Sequence, residues 1–475
     1  MNVGSNNKEI STGMSDQLLQ PSGEIESVPV ILSPPVPAGS FARRVALTFA
    51  TRVAMVIGSF GASIVVARWL SARGLGELSV INVTISLAVQ IASIGLPSAI
   101  AYHVSKDREV RVTASCNALL FGIFAGIASS LVTVGLSFAS PGLFGSVSPT
   151  LVAIAAISIP FTLLMLLGYH VLLALEKPVL FNLLDIAAPL LMLFNAVLVL
   201  VVMRSGLVAL VSFNTAANCL IGCAAVVIVA RKLWQGSDNL RWRIDPNLFQ
   251  RMLGTGIKFY IAIVAGLIIV RADLLIVNHF RGKAEAGVYA VASQLGNLLM
   301  VLPGVIVTIL FPKVAASDDK QGVLAMRVTR HTSLVMFIIC AGTVPLAFAL
   351  PAVYGNAFRD STIQLLILLP GVYFLSVQSV MAQQFLAWGV PATISVFWIL
   401  TASLSVGLNL ILVPKFGARA AAVDSTISYL FIFVLVAIYS HRRTGNRVFD
   451  ALVPSRAEFR ELLSPKLWRT RWEKA

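Results

Sequence analysis

The chain has 475 residues, of which 57% are hydrophobic and 12% are charged, and its formal net charge is +15. A soluble protein carries about a quarter charged residues, so this composition excludes an ordinary soluble domain and indicates a chain that lies mainly in lipid. The basic residues lie between apolar segments, which favours a role in membrane topology over nucleic-acid binding. The four cysteines all lie in apolar stretches and are predicted to be packing residues rather than zinc ligands.

Residues 1–40 are rich in Ser, Pro, Gly and Asn and predict a disordered cytosolic lead-in without a cleavable signal peptide. Twelve apolar runs follow, most of them as long as the ~20 residues that a transmembrane helix needs. They lie near 45–67, 77–102, 112–139, 150–174, 179–203, 207–230, 253–279, 286–312, 329–350, 361–387, 392–413 and 418–440. The alternating segments of about ten residues that build a membrane β-barrel do not occur. The sequence therefore predicts an all-α integral membrane protein with twelve transmembrane helices.

The positions of Lys and Arg predict the orientation. With the N-terminus in the cytoplasm, 25 basic residues fall on the inner side, 8 fall in outer loops and 3 fall within spans. Cytoplasmic loops of membrane proteins carry the excess of Lys and Arg. We therefore expect a multi-pass protein of the cytoplasmic (inner) membrane with both termini inside. The basic tail 441–475 also carries Phe, Leu and Trp, so it is either an amphipathic segment on the inner leaflet or a solvated tail.

The two halves of the chain repeat each other at a spacing of about 211 residues. Gly76 and Gly287 are 211 apart and each follows the end of a span; Gly206 and Gly417 are also 211 apart, and Pro178 and Pro391 are 213 apart. Six spans per repeat make the repeats parallel, as in two-lobed secondary transporters that open alternately around a central site. We expect an N-terminal six-helix lobe at 41–230, a cytosolic linker at 231–252 and a C-terminal six-helix lobe at 253–440.

Several segments carry a family resemblance. "ARWLSARGLGELSV", "IASIGLPSAIAYHVSK", "RADLLIVNHFRGKAEAGVYAVASQL", "LPGVIVTILFPKVA" and "LVPKFGARAAAVDSTISYLF" resemble polysaccharide-biosynthesis membrane proteins. These are oligosaccharide flippases of the multidrug/oligosaccharidyl-lipid/polysaccharide (MOP) exporter superfamily. The likeness covers roughly residues 45–440. The first half departs from the pattern, because Glu77-Leu78-Ser79 follows Gly76 where the second half has "GVY".

The resemblance implies a MATE-like fold and the movement of a lipid-linked (polyprenyl-diphosphate) oligosaccharide between leaflets for surface polysaccharide synthesis. It also implies membrane lipids, and a polysaccharide polymerase with its export machinery, as partners. The alternative within the superfamily is a multidrug or organic-cation antiporter, which predicts a cavity dominated by acids. An enzyme is not expected, because every outer loop is about ten residues or shorter, and no Gly-rich phosphate loop for ATP occurs.

Ionisable residues inside the predicted spans are the candidate site. Such a group costs at least ~2.5–3.5 kcal/mol at mid-membrane, so it normally faces a cavity or a partner. Arg271 is the deepest, and Asp273 cannot be its simple partner because residues two apart point about 200° apart on a helix. The functional interpretation places Arg271 on the substrate diphosphate; the alternative is a structural ion pair.

The remaining candidates are weaker. Arg52, Lys258 and Asp273 are further candidates for substrate binding, although Arg52 and Lys258 could also reach the cytosol. Asp185 and Asp424, with Asp273, could each lock helices together or bind a coupling Na+ or H+. No resident cofactor or metal is expected.

Overall fold

The computed structural model describes residues 38–106, 110–145, 147–235, 244–316, 322–387, 392–445 and 452. The predicted lead-in, except for its last three residues, and nearly all of the predicted tail beyond residue 445 lie outside these ranges. All regular structure in the described part is helical. Seven helices form the first half: α1 Ala38–Ala92, α2 Leu96–Lys106, α3 Arg111–Ala139, α4 Pro149–Ala156, α5 Ile159–Ala174, α6 Pro178–Ala196 and α7 Leu207–Gln235.

Nine helices form the second half. They are α8 Pro246–Arg281, α9 Lys283–Leu299, α10 Val301–Ala316, α11 Val323–Ala347, α12 Leu350–Tyr354, α13 Arg359–Met381, α14 Gln383–Ala387, α15 Ala392–Phe416 and α16 Ala418–Thr444. Within the predicted linker 231–252, α7 continues to Gln235 and α8 begins at Pro246. The Asp245 carboxylate caps α8 by accepting hydrogen bonds from the amides of Asn247 and Leu248, which satisfies donors that have no partner inside the helix.

Eleven helical segments of the described part are long and apolar enough to cross a membrane. The first of them, Thr51–Ala92, has 42 residues and is about twice as long as one crossing requires. It contains a break at Ser71, whose φ of 61° lies outside the helical region. The break at Ser71 therefore takes the place of the predicted turn, and the segment crosses twice. The twelve predicted transmembrane helices, in two six-helix lobes, are confirmed.

Proline divides some spans and not others. Pro97 and Pro160 lie in the first turn of α2 and α5, which restart after a break, whereas Pro189 and Pro370 lie inside α6 and α13. Proline is tolerated in the first turn because no helical bond to its nitrogen is needed there. Many large side chains remain exposed on the outside of the bundle, among them Leu131, Leu220 and Phe337, which is expected of helices in contact with lipid.

The two lobes meet where α9 crosses the second half of α1. Gly76 and Gly287, which the repeat relates to each other, face one another there, and their amide nitrogens lie within 3 Å of the position that a Cβ atom on the other would take. A methyl group at Gly76 would overlap the carbonyl oxygen of Lys283, and one at Gly287 would overlap that of Ala72. The repeated glycine is therefore the residue that lets the lobes approach at this crossing. We call the face of the molecule that carries this crossing the outer face, following the charge-based prediction, and the opposite face the inner face.

We expect Gly76→Ala to destabilise the protein by roughly 1–3 kcal/mol, because the added methyl group must push α1 and α9 apart. Gly135→Ala is the matched control: Gly135 lies in α3, and nothing lies within 4 Å of its added Cβ. This control should be neutral or stabilise by up to about 1 kcal/mol, since alanine favours a helix. Thermal unfolding of both variants in detergent, followed by circular dichroism, checks this; equal melting temperatures would show that the crossing tolerates more space.

Candidate functional site

Asp273 lies in the core of the second lobe and is only 3% exposed. Its carboxylate accepts hydrogen bonds from the hydroxyls of Tyr289 on α9 (2.5 Å) and Ser425 on α16 (3.2 Å), and from the amide of Leu274 (2.7 Å). A buried carboxylate is tolerated only when it is paired or hydrogen bonded. Asp273 therefore ties α8, α9 and α16 together.

Asp424, next to Ser425 on α16, is fully buried. It accepts hydrogen bonds from Ser405 (2.8 Å), from Ser428 (3.4 Å) and from the side-chain amide of Asn409. The side-chain carbonyl oxygen of Asn409 is buried and has no hydrogen-bond partner within the described residues. These groups connect α15 to α16 in the same way that the Asp273 contacts connect α8 to α9.

The two carboxylates form one cluster, because Ser425, which donates to Asp273, directly follows Asp424 on α16. Within the described part of the chain, neither carboxylate forms an ion pair with a Lys or Arg side chain. Two carboxylates, one unpaired amide oxygen and several hydroxyls make an oxygen-rich setting of the kind that protons and hard cations enter.

Arg271 points in another direction. Tyr260 lies eleven residues before it on α8 and Asn278 seven after it, so both fall within about 20° of its direction at 3.6 residues per turn. Tyr260 donates a hydrogen bond to the carbonyl of Ile91 (2.7 Å), and Asn278 donates one to the carbonyl of Phe144 (2.6 Å). Both acceptors belong to the first lobe. Arg271 therefore lies on the side of α8 that faces the first lobe, between two contacts that join the lobes.

Arg271 is half-buried, and its guanidinium makes no ion pair or hydrogen bond with any described residue. The structural ion pair considered for Arg271 has no partner in the described part of the chain.

The other candidates divide into two groups. Arg52 on α1 and Asp185 on α6 form an ion pair of 3.0 Å within the first lobe, with side chains that are 33% and 18% exposed. The pair joins two helices that also approach closely at Gly58 and Pro189. Lys258 belongs to α8, but its side chain lies outside the part that the structure describes.

Contacts between the lobes at the outer face were not anticipated from the sequence. Arg68 donates to the carbonyls of Val353 (2.8 Å) and Ala352, the Ser63 and Tyr354 hydroxyls are 2.8 Å apart, and Glu77 pairs with Lys283. A signal was present, since Glu77 and Lys283 lie close to the repeat-related glycines Gly76 and Gly287. These contacts join the lobes at that end.

A family model described as "Polysaccharide biosynthesis protein" matches residues 65–363, more than half of the chain. The chain belongs to the polysaccharide biosynthesis protein family. No curated protein matches the sequence.

The lipid II flippase MurJ, in an inward closed conformation, matches with a TM-score of 0.71 and 14% identity, over 86% of this chain and 89% of that one. An inward-facing multidrug resistance MATE family transporter of the MOP superfamily gives 0.68 and 11%, over 84% and 98%. A point mutant of the Vibrio cholerae MATE transporter VcmN gives 0.59 and 14%, over 86% and 99%. At these identities the likeness shows the fold, which the polysaccharide biosynthesis protein shares with MOP transporters and flippases.

The Arg52–Asp185 pair can be tested without a transport assay. We expect Arg52→Gln and Asp185→Asn each to destabilise the protein, and the double variant to recover part of the loss, with a coupling of roughly 0.5–3 kcal/mol. Each single change leaves a partly buried charge without its partner, which costs more than removing both. Thermal unfolding of the three variants measures the coupling. Additive losses would mean that the two side chains do not depend on each other.

Proposed function

We propose that the protein is a flippase that moves a lipid-linked (polyprenyl-diphosphate) oligosaccharide across the cytoplasmic membrane for surface polysaccharide synthesis. The observation that carries this is Arg271, a deeply placed guanidinium that faces the opposite lobe and has no partner within the described residues. A permanent charge in a span normally marks a substrate or ion pathway. The family and the fold shared with a lipid II flippase support the same class of protein.

An arginine suits a diphosphate better than other cations do. Its planar fork of donors matches two phosphate oxygens at once, and it stays charged in any environment. The lipid-facing sides of the lobes are apolar, as the exposed Leu131 and Leu220 illustrate, so the polyprenyl tail can remain in the bilayer while the polar head lies between the lobes. Arg271 would then bind the part of the substrate that costs most to move through lipid.

Alternating access supplies the movement. Two parallel lobes that rock about a central site expose it first to one side and then to the other. In this arrangement the outer contacts of Arg68, Glu77 and Lys283 hold the outer side closed, and they must separate to release the substrate. Both termini would lie in the cytoplasm, and the released glycan would pass to a polymerase and export machinery outside.

The Asp273–Asp424 cluster would couple this movement to an ion. A Na+ or H+ bound there would neutralise carboxylates that no described Lys or Arg pairs with, and the cluster joins four helices of one lobe. Binding or release of the ion would therefore change how α8 packs against α9, α15 and α16. Arg271 lies two residues from Asp273 on α8, so the change would reach the substrate arginine directly.

Flipping in liposomes tests the assignment of Arg271. The protein is reconstituted with a fluorescent polyprenyl-diphosphate sugar, and the label accessible outside is followed with time. We expect Arg271→Ala to slow flipping roughly ten- to a hundredfold, which corresponds to the loss of a charged hydrogen bond, and Arg271→Lys to retain part of the rate. Arg204→Gln, which removes an exposed arginine before α7, is the control and should flip normally.

Two results would contradict the proposal. Wild-type protein that exchanges organic cations but moves no lipid-linked sugar would identify the antiporter instead. Normal flipping by both Arg271 variants would make Arg271 a structural charge, even if the protein is a flippase.

A second test concerns coupling. We expect flipping by the wild-type protein to respond to an imposed Na+ or H+ gradient. We expect Asp424→Asn to lose this response, because an asparagine amide carries no negative charge for a cation to balance and does not take up or release a proton. Glu176→Gln, a change in the exposed loop before α6, should leave the response intact. Wild-type flipping that ignores both gradients would leave the two aspartates with a purely structural role.

A further inference from the structure

A second site lies on the outer face, away from Arg271. An open cleft of about 540 Å³ lies where the turns and helix ends before α9, α13 and α16 meet the start of the second half of α1. This volume falls within the ~300–1,000 Å³ typical of small-molecule sites. The side chains that define its chemistry are Arg281, Glu285, Asp360, Gln364, Phe416 and Arg419.

The charged residues of the cleft form ion pairs, but their arginines keep hydrogen-bond donors that these pairs do not use. Arg281 donates to Glu285 through Nε (3.0 Å), and Glu285 also accepts from the amide of Ala418 at the start of α16 (2.7 Å). Arg419 donates to Asp360 through one terminal nitrogen (3.1 Å). Each guanidinium has five N–H donors, so most donors of Arg281 and Arg419 have no partner among the described residues. The two acids balance the two arginines, and the cleft is neutral as a whole.

Gln364, in the wall of the cleft, has a buried amide oxygen, Oε1, for which the described residues provide no hydrogen-bond donor. The residue as a whole is only 2% exposed. A buried amide without a partner destabilises a fold. Because Gln364 lines the cleft, rotation of its amide toward the cleft would let an entering hydroxyl donate to Oε1 or accept from Nε2.

Phe416 adds an apolar surface to this polar cleft. It ends α15, and 67% of its surface is exposed. A flat ring beside forked donors and an amide complements a molecule that has many hydroxyl groups around its edge and C–H groups on its face. A pyranose sugar has this distribution.

We propose that the outer cleft binds a saccharide unit on the side of the membrane where the glycan emerges. Gln364 would bind a sugar hydroxyl, the free donors of Arg281 and Arg419 would bind ring or acid oxygens, and Phe416 would pack on the ring. Binding itself requires only the cleft, whereas its role as a receiving site for the translocated glycan rests on the proposed function. The sugar could belong to the emerging lipid-linked substrate or to free glycan outside.

Saturation-transfer NMR on the full-length protein in nanodiscs tests the cleft. The probes are glucose, galactose, mannose, N-acetylglucosamine and glucuronate. We expect at least one of them to bind the wild-type protein and to bind Gln364→Leu at least fivefold more weakly. Leucine removes the hydrogen-bonding groups at similar volume, so the melting temperature of this variant should be unchanged or higher.

Two further variants complete the test. Arg359→Gln removes an outer-face charge that does not line the cleft and should bind like the wild type. Phe416→Ala removes an exposed ring that is not part of the buried core, so this variant should fold. It should also bind the probe more weakly, and this result does not depend on whether Gln364→Leu folds. The proposal would be overturned if no probe bound the wild-type protein. It would also be overturned if Gln364→Leu and Phe416→Ala both bound the probe as strongly as the wild type does.

A competition experiment distinguishes the two sources of the sugar. Together with the flipping assay, it also distinguishes failure of the cleft proposal from failure of the proposed function. If a lipid-linked sugar in the nanodisc displaces the bound probe, the cleft receives the transported substrate; if only added soluble oligosaccharide displaces it, the cleft binds free glycan. Both results support the site. Binding lost in Gln364→Leu, together with no flipping by wild type in liposomes, would leave the cleft standing and refute the flippase. Normal flipping by the wild type without probe binding would support the flippase and refute the cleft as a sugar site.

Discussion

The hydrogen bonds around Asp273 are the interaction on which the second lobe depends. A carboxylate buried among transmembrane helices is stable only when neighbouring groups replace the water it has lost, and here Tyr289 and Ser425 do so from two other helices. The same carboxylate fixes the rotation of α8. With Asp273 directed into the lobe, Arg271 must point about 200° away, toward the first lobe. The position of Asp273 thus determines the direction in which Arg271 points.

The interface between the lobes follows a different principle. It is built from backbone approach at Gly76 and Gly287 and from separate polar contacts, among them Ser63 with Tyr354, Tyr260 with the Ile91 carbonyl and Asn278 with the Phe144 carbonyl. Each of these contacts is a single hydrogen bond, whereas Asp273 accepts three hydrogen bonds at one point inside the second lobe. Rocking of the lobes would therefore break the interface contacts one at a time and leave the hydrogen bonds of Asp273 within one lobe.

The fold could be predicted from the sequence because its signals are local. Each span is a run of apolar residues, and the repeat is marked by glycines that the crossing of α1 and α9 makes necessary. The site could be predicted only in part. Charges inside spans identified Arg52 and Asp185 individually, but that they pair with each other depends on the packing of α1 against α6. Gln364 carried no signal, because its missing partner is a property of the folded surroundings.

Arg271 and the outer cleft lie at different depths and suit different parts of one kind of molecule. A single charged group between the lobes can bind a diphosphate, which every polyprenyl-linked glycan shares, and this contact cannot distinguish one sugar from another. Recognition of the sugar needs groups that respond to the position of hydroxyls, and an amide such as that of Gln364 does so because a buried amide without its hydroxyl is costly. If the cleft acts on the emerging glycan, transport is driven through the shared diphosphate, and selection among glycans is made at the exit. The composition of the cleft should then vary with the polysaccharide, while the arginine between the lobes should not.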